Sequence, residues 1–451
     1  MKPHLVYIAF WYPPSRASGV YRALATTRAF IDAGWDVTVI TTTEEFLEDE
    51  IGSTDESLVT LIPVDVEVVR VPFSFGPRGD VDVRSLGWWR ANYPSVWTFL
   101  HRKIGPARTA LAVLRGVAPE AHQFSDNYVS WVDPVVKAGL KIGSNKTVDH
   151  VLATGNPFSA FEAARLIGGL IGSPFSIDYR DPWTMDVFTG SLEHADRATT
   201  EVERRIIDEA ALCFHVNPAI ADAYRAKYPA SSHKHRVVYN GYDADSIPHF
   251  PPKPPGPVSG PLRFGILGTV NDRWPLEPIF DAWISTRPEL PMGSTLVLGG
   301  YLGYFARSQD LLEAYLPEEA MGFRYLGPVP KSEVADFYSS LDVVVLPVPG
   351  GPMVTSGKVF EALALGKPVV CVQAEGGGAR VLLQGNPLGF GAEPDTASVG
   401  EALIGAASAA RSPNPDISNT MRAEALRYER HRAIGEMVTA VEGLRSQVQA
   451  V

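Results

Sequence analysis

The chain has 451 residues, 45% hydrophobic and 20% charged, with a formal net charge of −11. That length exceeds one ordinary core and fits two domains, and the acidic balance excludes nucleic acid as the main partner, because phosphate backbones select basic surfaces. No run nears the roughly 20 apolar residues of a membrane span. The first apolar stretch lacks the length and cleavage pattern of a signal peptide, and Cys213 and Cys371 sit in apolar runs, as buried thiols of a reducing cytoplasm do.

Leu5–Phe10 reads as a strand, Trp11–Gly19 as a loop of turn formers, Val20–Ala33 as a helix stopped by Gly34, and Val37–Ile40 as the next strand, a βαβ unit. Gly19 stands just before the helix, where a small residue lets backbone N–H groups meet an anion. An ordinary turn is the competing reading, and the loop carries no Gly-x-Gly-x-x-Gly fingerprint. Val66–Val71 is strand-like.

The stretch 81–117 then departs from the rest. It holds Trp88, Trp89 and Trp97 with Arg84, Arg90, Arg102, Lys103, Arg108 and Arg115 against one acid, Asp82. Three readings fit: an interface-lying helix that holds anionic headgroups, a packed cover whose Arg stems snorkel, or an acceptor lid in which Trp88 and Trp89 touch the acceptor.

Alternation resumes with His150–Ala153 (strand), Pro157–Leu170 (helix), Phe175–Asp178 (strand), Ser191–Ala210 (helix), Leu212–Val216 (strand), Pro218–Tyr228 (helix) and Arg236–Tyr239 (strand), closed by Asn240-Gly241. Two strand-end loops carry polar groups, Thr154-Gly155-Asn156-Pro157 and Asp178-Tyr179-Arg180-Asp181-Pro182-Trp183. Arg180 and Asp181 are candidates for catalysis, although Asp-Arg pairs also serve as structural clips.

Residues 247–262 contain Pro251, Pro252, Pro254, Pro255, Pro257 and Pro261, a semi-rigid spacer and the expected domain boundary. Beyond it, Leu262–Leu267 leads to Gly268 and Arg273, Leu276–Ser285 reads as a helix, and Thr295–Leu298 ends in Gly299-Gly300. Phe323–Leu326 precedes Gly327-Pro328-Val329-Pro330, and Glu333–Leu341 reads as a helix.

The apolar runs Asp342–Leu346 and Val369–Val372 read as buried parallel strands, and one short helix lies between them. Thr355 or Ser356 can cap it, Gly357 admits a ligand to the backbone, and Gly366 with Pro368 stops it. Such a helix start at a strand's carboxyl end favours an anion. Lys358 adds positive charge, and Glu361, one turn on, can accept bonds from vicinal hydroxyls such as those of a ribose. The competing reading pairs Lys358 with Glu361 across three residues and leaves Thr355-Ser356 as a cap alone. The tail, Ser418–Val448, reads as long helices bent near Tyr428–Arg432.

Taken together, the loop before Gly19, the Asp178–Trp183 strand end, Tyr239-Asn240-Gly241-Tyr242-Asp243, Gly327-Pro328-Val329 and Gly357-Lys358-Val359-Phe360-Glu361-Ala362-Leu363-Ala364-Leu365-Gly366-Lys367-Pro368-Val369-Val370 resemble retaining glycosyltransferases of the two-Rossmann-domain (GT-B) type, family 4. The resemblance implies an α/β fold of two Rossmann-like doubly wound domains facing each other across a cleft. It implies an acceptor domain at 1–246, the linker at 247–262, a donor domain at 263–425 and a helix at 426–451 crossing back to the first domain.

It further implies an enzyme of the hexosyltransferase type, moving sugar from a nucleotide-diphosphate sugar to a hydroxyl of a small molecule, glycan or lipid-linked acceptor. Neither metal nor cofactor is called for. Glu361 takes the ribose, Thr355, Ser356 and Gly357 with Lys358 or Arg273 the diphosphate, and Val329 the base. Gly19, Gly268 and Gly300 complete the donor contacts, Asn156 and Trp183 join Trp88 and Trp89 at the acceptor, and Asp181, Arg180, Arg273 and Lys358 carry the chemistry.

Many relatives place a second Glu eight residues before the first, where this chain has Met353, and a His where it has Arg180-Asp181. Retention without a carboxylate nucleophile implies front-face attack, the leaving phosphate assisting in taking the acceptor's proton. A nucleotide-sugar epimerase and a non-catalytic nucleotide-sugar-binding subunit are the alternatives. A cytoplasmic location is expected, with peripheral membrane contact through 81–117 under one of its three readings.

Overall fold

The structure, a computed structural model, describes residues 2–73, 124, 126–192, 194–248, 259–302, 310, 312–314 and 322–449. Trp88, Trp89 and the rest of 81–117 lie outside them, as do Pro251 to Pro257 of the expected linker. The chain divides into two compact units, one of Met1–Asp186, Ser191–Asn240 and Ala433–Val451, the other of Val187–Gly190 and Gly241–Arg432.

The first unit is built on a seven-stranded parallel sheet: β1 (His4–Ile8), β2 (Asp36–Thr42), β3 (Val66–Val71), β4 (His150–Gly155), β5 (Phe175–Tyr179), β6 (Leu212–His215) and β7 (His235–Val237), in the order β3-β2-β1-β4-β5-β6-β7. Strands buried on both faces read as unbroken apolar runs, and β1 is buried throughout. The helices are α1 (Val20–Asp32), α2 (Val132–Asn145), α3 (Ser159–Ile171), α4 (Arg197–Glu209) and α5 (Pro218–Lys227). After Ala433 the chain rejoins this unit, and Ile434, Met437, Val438 and Val441 enter the core beside Leu5, Val37, Val39 and Leu152.

The second unit has six parallel strands, β8 (Arg263–Leu267), β9 (Thr295–Gly299), β10 (Phe323–Gly327), β11 (Val343–Pro347), β12 (Val369–Val372) and β13 (Gly389–Ala392), in the order β10-β9-β8-β11-β12-β13. Its helices with described bounds are α6 (Leu276–Thr286), α7 (Val334–Ser339), α8 (Lys358–Leu365), α9 (Gly378–Leu383), α10 (Thr396–Arg411) and α11 (Pro415–Ala425). Phe264, Ile266, Leu296, Leu298, Val343 and Val345 meet Ile279, Phe280 and Trp283 of α6 and Val399 and Leu403 of α10 in one core.

Three expected helices are reshaped. The one expected over 191–210 begins only at Arg197, where the Asp196 side chain accepts from Thr199 N at 2.8 Å and fixes the start. The one over 333–341 is a 3₁₀ turn, Lys331–Glu333, running into α7. The tail is α11, a 3₁₀ turn at Leu426–Tyr428 and α12 (Arg430–Gln449), with the turn near the expected bend.

In each sheet the strand order reverses once, between β1 and β4 and between β8 and β11. Ligands of open α/β sheets bind outside the carboxyl ends of the strands at such switch points. The loops that follow β1, β4, β8 and β11 are therefore where function should be sought, and most of the candidate residues stand on them or on the neighbouring β5 and β9 loops.

Candidate functional site

At the switch point of the second unit, the loop after β11 leads into α8. Gly357 is the residue that opens the helix, with φ −55° and no side-chain cap bond of its own. The N–H groups of Lys358, Val359 and Phe360 turn back to Ser356 Oγ (3.3 Å), Ser356 O (3.1 Å) and Gly357 O (3.2 Å). Among the described residues the Gly357 N–H has no hydrogen-bond partner. Gly357 is exposed, and a Cβ built on it meets none of the described residues within 4 Å. Among the described residues none covers the positive end of α8 at this point.

Lys358 and Glu361 are paired, Nζ lying 3.0 Å from Oε1 and 2.8 Å from Oε2. Tyr338 of α7, only 2% exposed, also donates its hydroxyl to Glu361 Oε2. The i,i+3 pairing that the spacing allowed is thus present, together with a tyrosine that pattern alone does not connect to Glu361. Burial and the adjacent Glu361 carboxylate push the Tyr338 hydroxyl well above the usual tyrosine range, so it stays a donor.

The preceding loop is held by Gln373, just past β12, whose side chain no sequence signal singled out. It is 1% exposed; its Nε2 donates to Val354 O at 3.0 Å and to Gly350 O and Gly351 O at 3.3 Å, while Oε1 accepts from Ala379 N and Arg380 N at 3.0 and 3.2 Å. One amide therefore fastens the loop to the start of α9.

Arg273 is exposed on the loop after β8, and its guanidinium carbon stands 3.8 Å from the centre of the Phe188 ring. Phe188 also borders Gly350, where an added Cβ would meet its Cδ1 at 3.2 Å. Phe188 thus links the β8 loop to the β11 loop. Gly268 and Gly300 have a packing reason of their own. Gly268 N bonds Gly299 O at 3.1 Å, Gly300 N bonds Gly327 O at 2.8 Å, and a Cβ on Gly300 would fall 1.8 Å from Gly268 O. Val329, half-buried, packs over Gly299, where an added Cβ would meet its Cγ2 at 2.7 Å. Thr355 Oγ1 lies against Gly378 at the start of α9.

In the first unit, Gly19 ends the loop after β1 and is buried beneath Arg180, whose guanidinium a Cβ would meet at 2.1 Å. Arg180 Nε donates to Gly155 O at 2.9 Å and Nη2 to Asn156 O at 3.0 Å, so a half-buried cation is fixed at the switch point beside the start of α1. Asp181 and Asn156 are exposed. Trp183 is instead buried, stacked on Phe158 with ring centres 5.2 Å apart.

Behind this surface lie two buried networks. Arg22, not singled out by the sequence, grips Asp178 with Nε to Oδ2 at 2.8 Å and Nη2 to Oδ1 at 2.7 Å, and its remaining donors reach Val238 O, Tyr239 O and Asn240 Oδ1. All five guanidinium protons are used. Glu203 of α4, fully buried, accepts from the hydroxyls of Tyr179, Tyr224, Tyr228 and Thr184, while Tyr224 Oη accepts from Trp183 N at 3.1 Å. Together they fix the loop that follows β5 from below.

Among the described residues no group of three or more His, Cys, Asp or Glu is placed to hold a metal ion, and no helix is long and apolar enough to cross a membrane. Asp243 is paired with Lys331 at 3.0 Å and Arg430 at 2.7 Å.

Residues 279–408, which include Tyr338, Gly357, Glu361 and Gln373, match the family described as glycosyl transferases group 1. By sequence no curated protein matches significantly. By structure, a glycosyltransferase from Rickettsia africae ESF-5 is similar at 10% identity over 98% of each chain, with a TM-score of 0.66. HepE from Anabaena, solved in complex with UDP, is similar at 16% identity over 100% of each chain (TM-score 0.61), and α,α-trehalose 6-phosphate synthase from Burkholderia multivorans at 13% over 100% of this chain and 98% of its own (TM-score 0.62). At such identities the likeness is one of fold: this chain has the two-sheet α/β fold of glycosyltransferases of the GT-B type.

Proposed function

We propose that the protein is a glycosyltransferase that takes a nucleotide-diphosphate sugar at the β8/β11 switch point of its second unit and passes the sugar to a hydroxyl acceptor. The observation that carries this reading is the open start of α8 at Gly357, one turn ahead of a carboxylate held in place. An anion suits the first and a ribose hydroxyl the second. Both fall inside the segment that matches glycosyl transferases group 1.

The diphosphate would meet the Gly357 backbone and the Arg273 guanidinium. These supply fixed positive potential where the leaving nucleotide gains charge, the largest single contribution such a site makes. Transfer with retention and without a metal fits that arrangement, the leaving phosphate taking the acceptor's proton. Lys358 stands with Glu361 and adds its charge beside the helix start. Val329 and the glycines ending β8 and β9 would border the base. Acceptor contacts are assigned to the first unit, around Arg180, Asp181 and Asn156, and the cytoplasm, where nucleotide sugars are made, is the proposed location.

The test is incubation of the purified chain with a panel of uridine, guanosine and adenosine diphosphate sugars. Slow release of nucleoside diphosphate supports the proposal. Interconversion of sugars without release would make the protein an epimerase, and binding with neither outcome a non-catalytic subunit. Glu361→Ala is expected to weaken donor binding by more than about tenfold, the loss of roughly one charge-assisted hydrogen bond. An unchanged dissociation constant removes Glu361 from the site.

A further inference from the structure

The carboxylate assigned to the ribose does not stand free. Only 14% of the Glu361 side chain is exposed, and two neighbours already bond to it. A carboxylate offers about four lone-pair positions, two on each oxygen. Tyr338 takes one on Oε2, and Lys358 Nζ, 2.8 Å from Oε2 and 3.0 Å from Oε1, takes one on each. Oε2 is then full, and Oε1 has one position left.

A vicinal diol that binds a carboxylate with both hydroxyls needs an open position on each oxygen. Here the arithmetic allows one. Tyr338 cannot easily turn away: it comes from a different helix, α7, is 2% exposed and keeps its proton. Its ring centre also lies 6.0 Å from Lys358 Nζ, at the edge of cation–π range.

We propose that Tyr338 is a positioning residue that saturates Glu361 Oε2, so that the carboxylate reads the donor nucleoside through one ribose hydroxyl at Oε1. The donor is then a ribonucleoside diphosphate sugar whose two ribose hydroxyls matter unequally. This inference rests on the proposed function, which puts a nucleotide at α8.

Titration calorimetry of the full chain with UDP, GDP and ADP identifies a nucleotide that binds. Its 2′-deoxy and 3′-deoxy analogues are then compared with it. One analogue should bind about tenfold or more weaker, as expected for a lost bond to a charged group, and the other less than about threefold weaker. In Tyr338→Phe, which removes the hydroxyl and keeps the ring, Oε2 opens and the two penalties should come within about threefold of each other. A merely structural role for Tyr338 would weaken all three ligands alike and preserve the ratio. Equal penalties in the unaltered protein, a measurement that needs no variant to fold, would overturn the inference while leaving the proposed function intact. So would an unchanged ratio in Tyr338→Phe. Failure of all three nucleotides to bind would overturn the proposed function and this inference with it.

Discussion

Gly19→Ala isolates a single contact at the switch point of the first unit. A methyl at this position would lie 2.1 Å from Arg180 Nη1 and 2.4 Å from Cζ. The backbone of Gly19, at φ −69°, is one that alanine adopts freely, but Gly19 is the N-cap of α1, where alanine is poorer by a few tenths to about 1 kcal/mol. The guanidinium must move and give up its bonds to Gly155 O at 2.9 Å and Asn156 O at 3.0 Å. Bonds from a charged group are worth about 1.5–3 kcal/mol each, and half-burial points to the lower end, about 3 kcal/mol for the two. Alanine returns about 0.5–1 kcal/mol by restricting the unfolded chain, which offsets the cap loss, so the net cost is about 3 kcal/mol. In an Arg180→Ala background the same methyl enters vacated space and is neutral to within about 0.5 kcal/mol. Hydrogen exchange read on peptides from α1 and β4 reports this unit separately from the other. Additivity of the two substitutions within about 0.5 kcal/mol would refute the reasoning.

Two further outcomes are expected. Gln373→Glu replaces an amide donor with an acceptor facing Gly350 O, Gly351 O and Val354 O; exchange across residues 350–357 should accelerate and nucleotide binding weaken about tenfold or more, a charged group being left with unfavourable partners, and unaltered exchange would dismiss Gln373 as the clamp. Burial pushes the buried imidazoles down, His150 to about 3 and His235 to about 4. A histidine whose folded value is depressed leaves stability untouched above its unfolded value near 6.5, and as pH falls below that the unfolded state gains protons first. Each such group then removes up to about 1.4 kcal/mol per pH unit until its folded value is reached. The unfolding midpoint should therefore drop as pH falls from about 6.5 toward 4, and less steeply in His150→Asn; equal slopes would clear His150 of that role.

The strands and most helices were legible because parallel strands covered on both faces are unbroken apolar runs of fixed length, as in β1, β4, β11 and β12. What escaped has physical reasons. Helix α2 carries Gly139 and Gly143 in its interior, which read as breakers. Their absent side chains let α3 come close, since a Cβ at Gly139 would meet Ile167 at 2.4 Å and one at Gly143 would meet Ile171 at 2.9 Å. The start of α9 follows Gly376-Gly377, which reads as loop, and its cap is supplied by Gln373, before those glycines. β13 is four residues with two glycines. At the site, Gly357, Lys358 and Glu361 announced themselves by spacing within one turn. Tyr338 is 23 residues from its partner Glu361, and Arg22 is 156 from Asp178. Pairings across such separations are made by the sheet order, which a single sequence does not display.

The glycines of the candidate donor site differ in what a substitution there can reveal. At Gly300 a side chain strikes Gly268 O, so loss of activity would report a broken fold as readily as a blocked ligand. Gly357 is the informative position. Its φ of −55° and ψ of −26° suit alanine, and none of the described residues stands within 4 Å of the added carbon. Alanine is the poorer residue at a helix N-cap by a few tenths to about 1 kcal/mol, and it recovers a similar amount from the unfolded chain. Gly357→Ala should therefore melt with the unaltered protein to within about 4 °C. If a diphosphate rests against the start of α8, the methyl occupies the space between the phosphate oxygens and the Gly357 N–H, and nucleoside diphosphate affinity should fall about tenfold or more, the value of a bond between an N–H and a charged group. Unchanged affinity in a normally melting variant would place the anion somewhere other than this helix start, and with it the donor site.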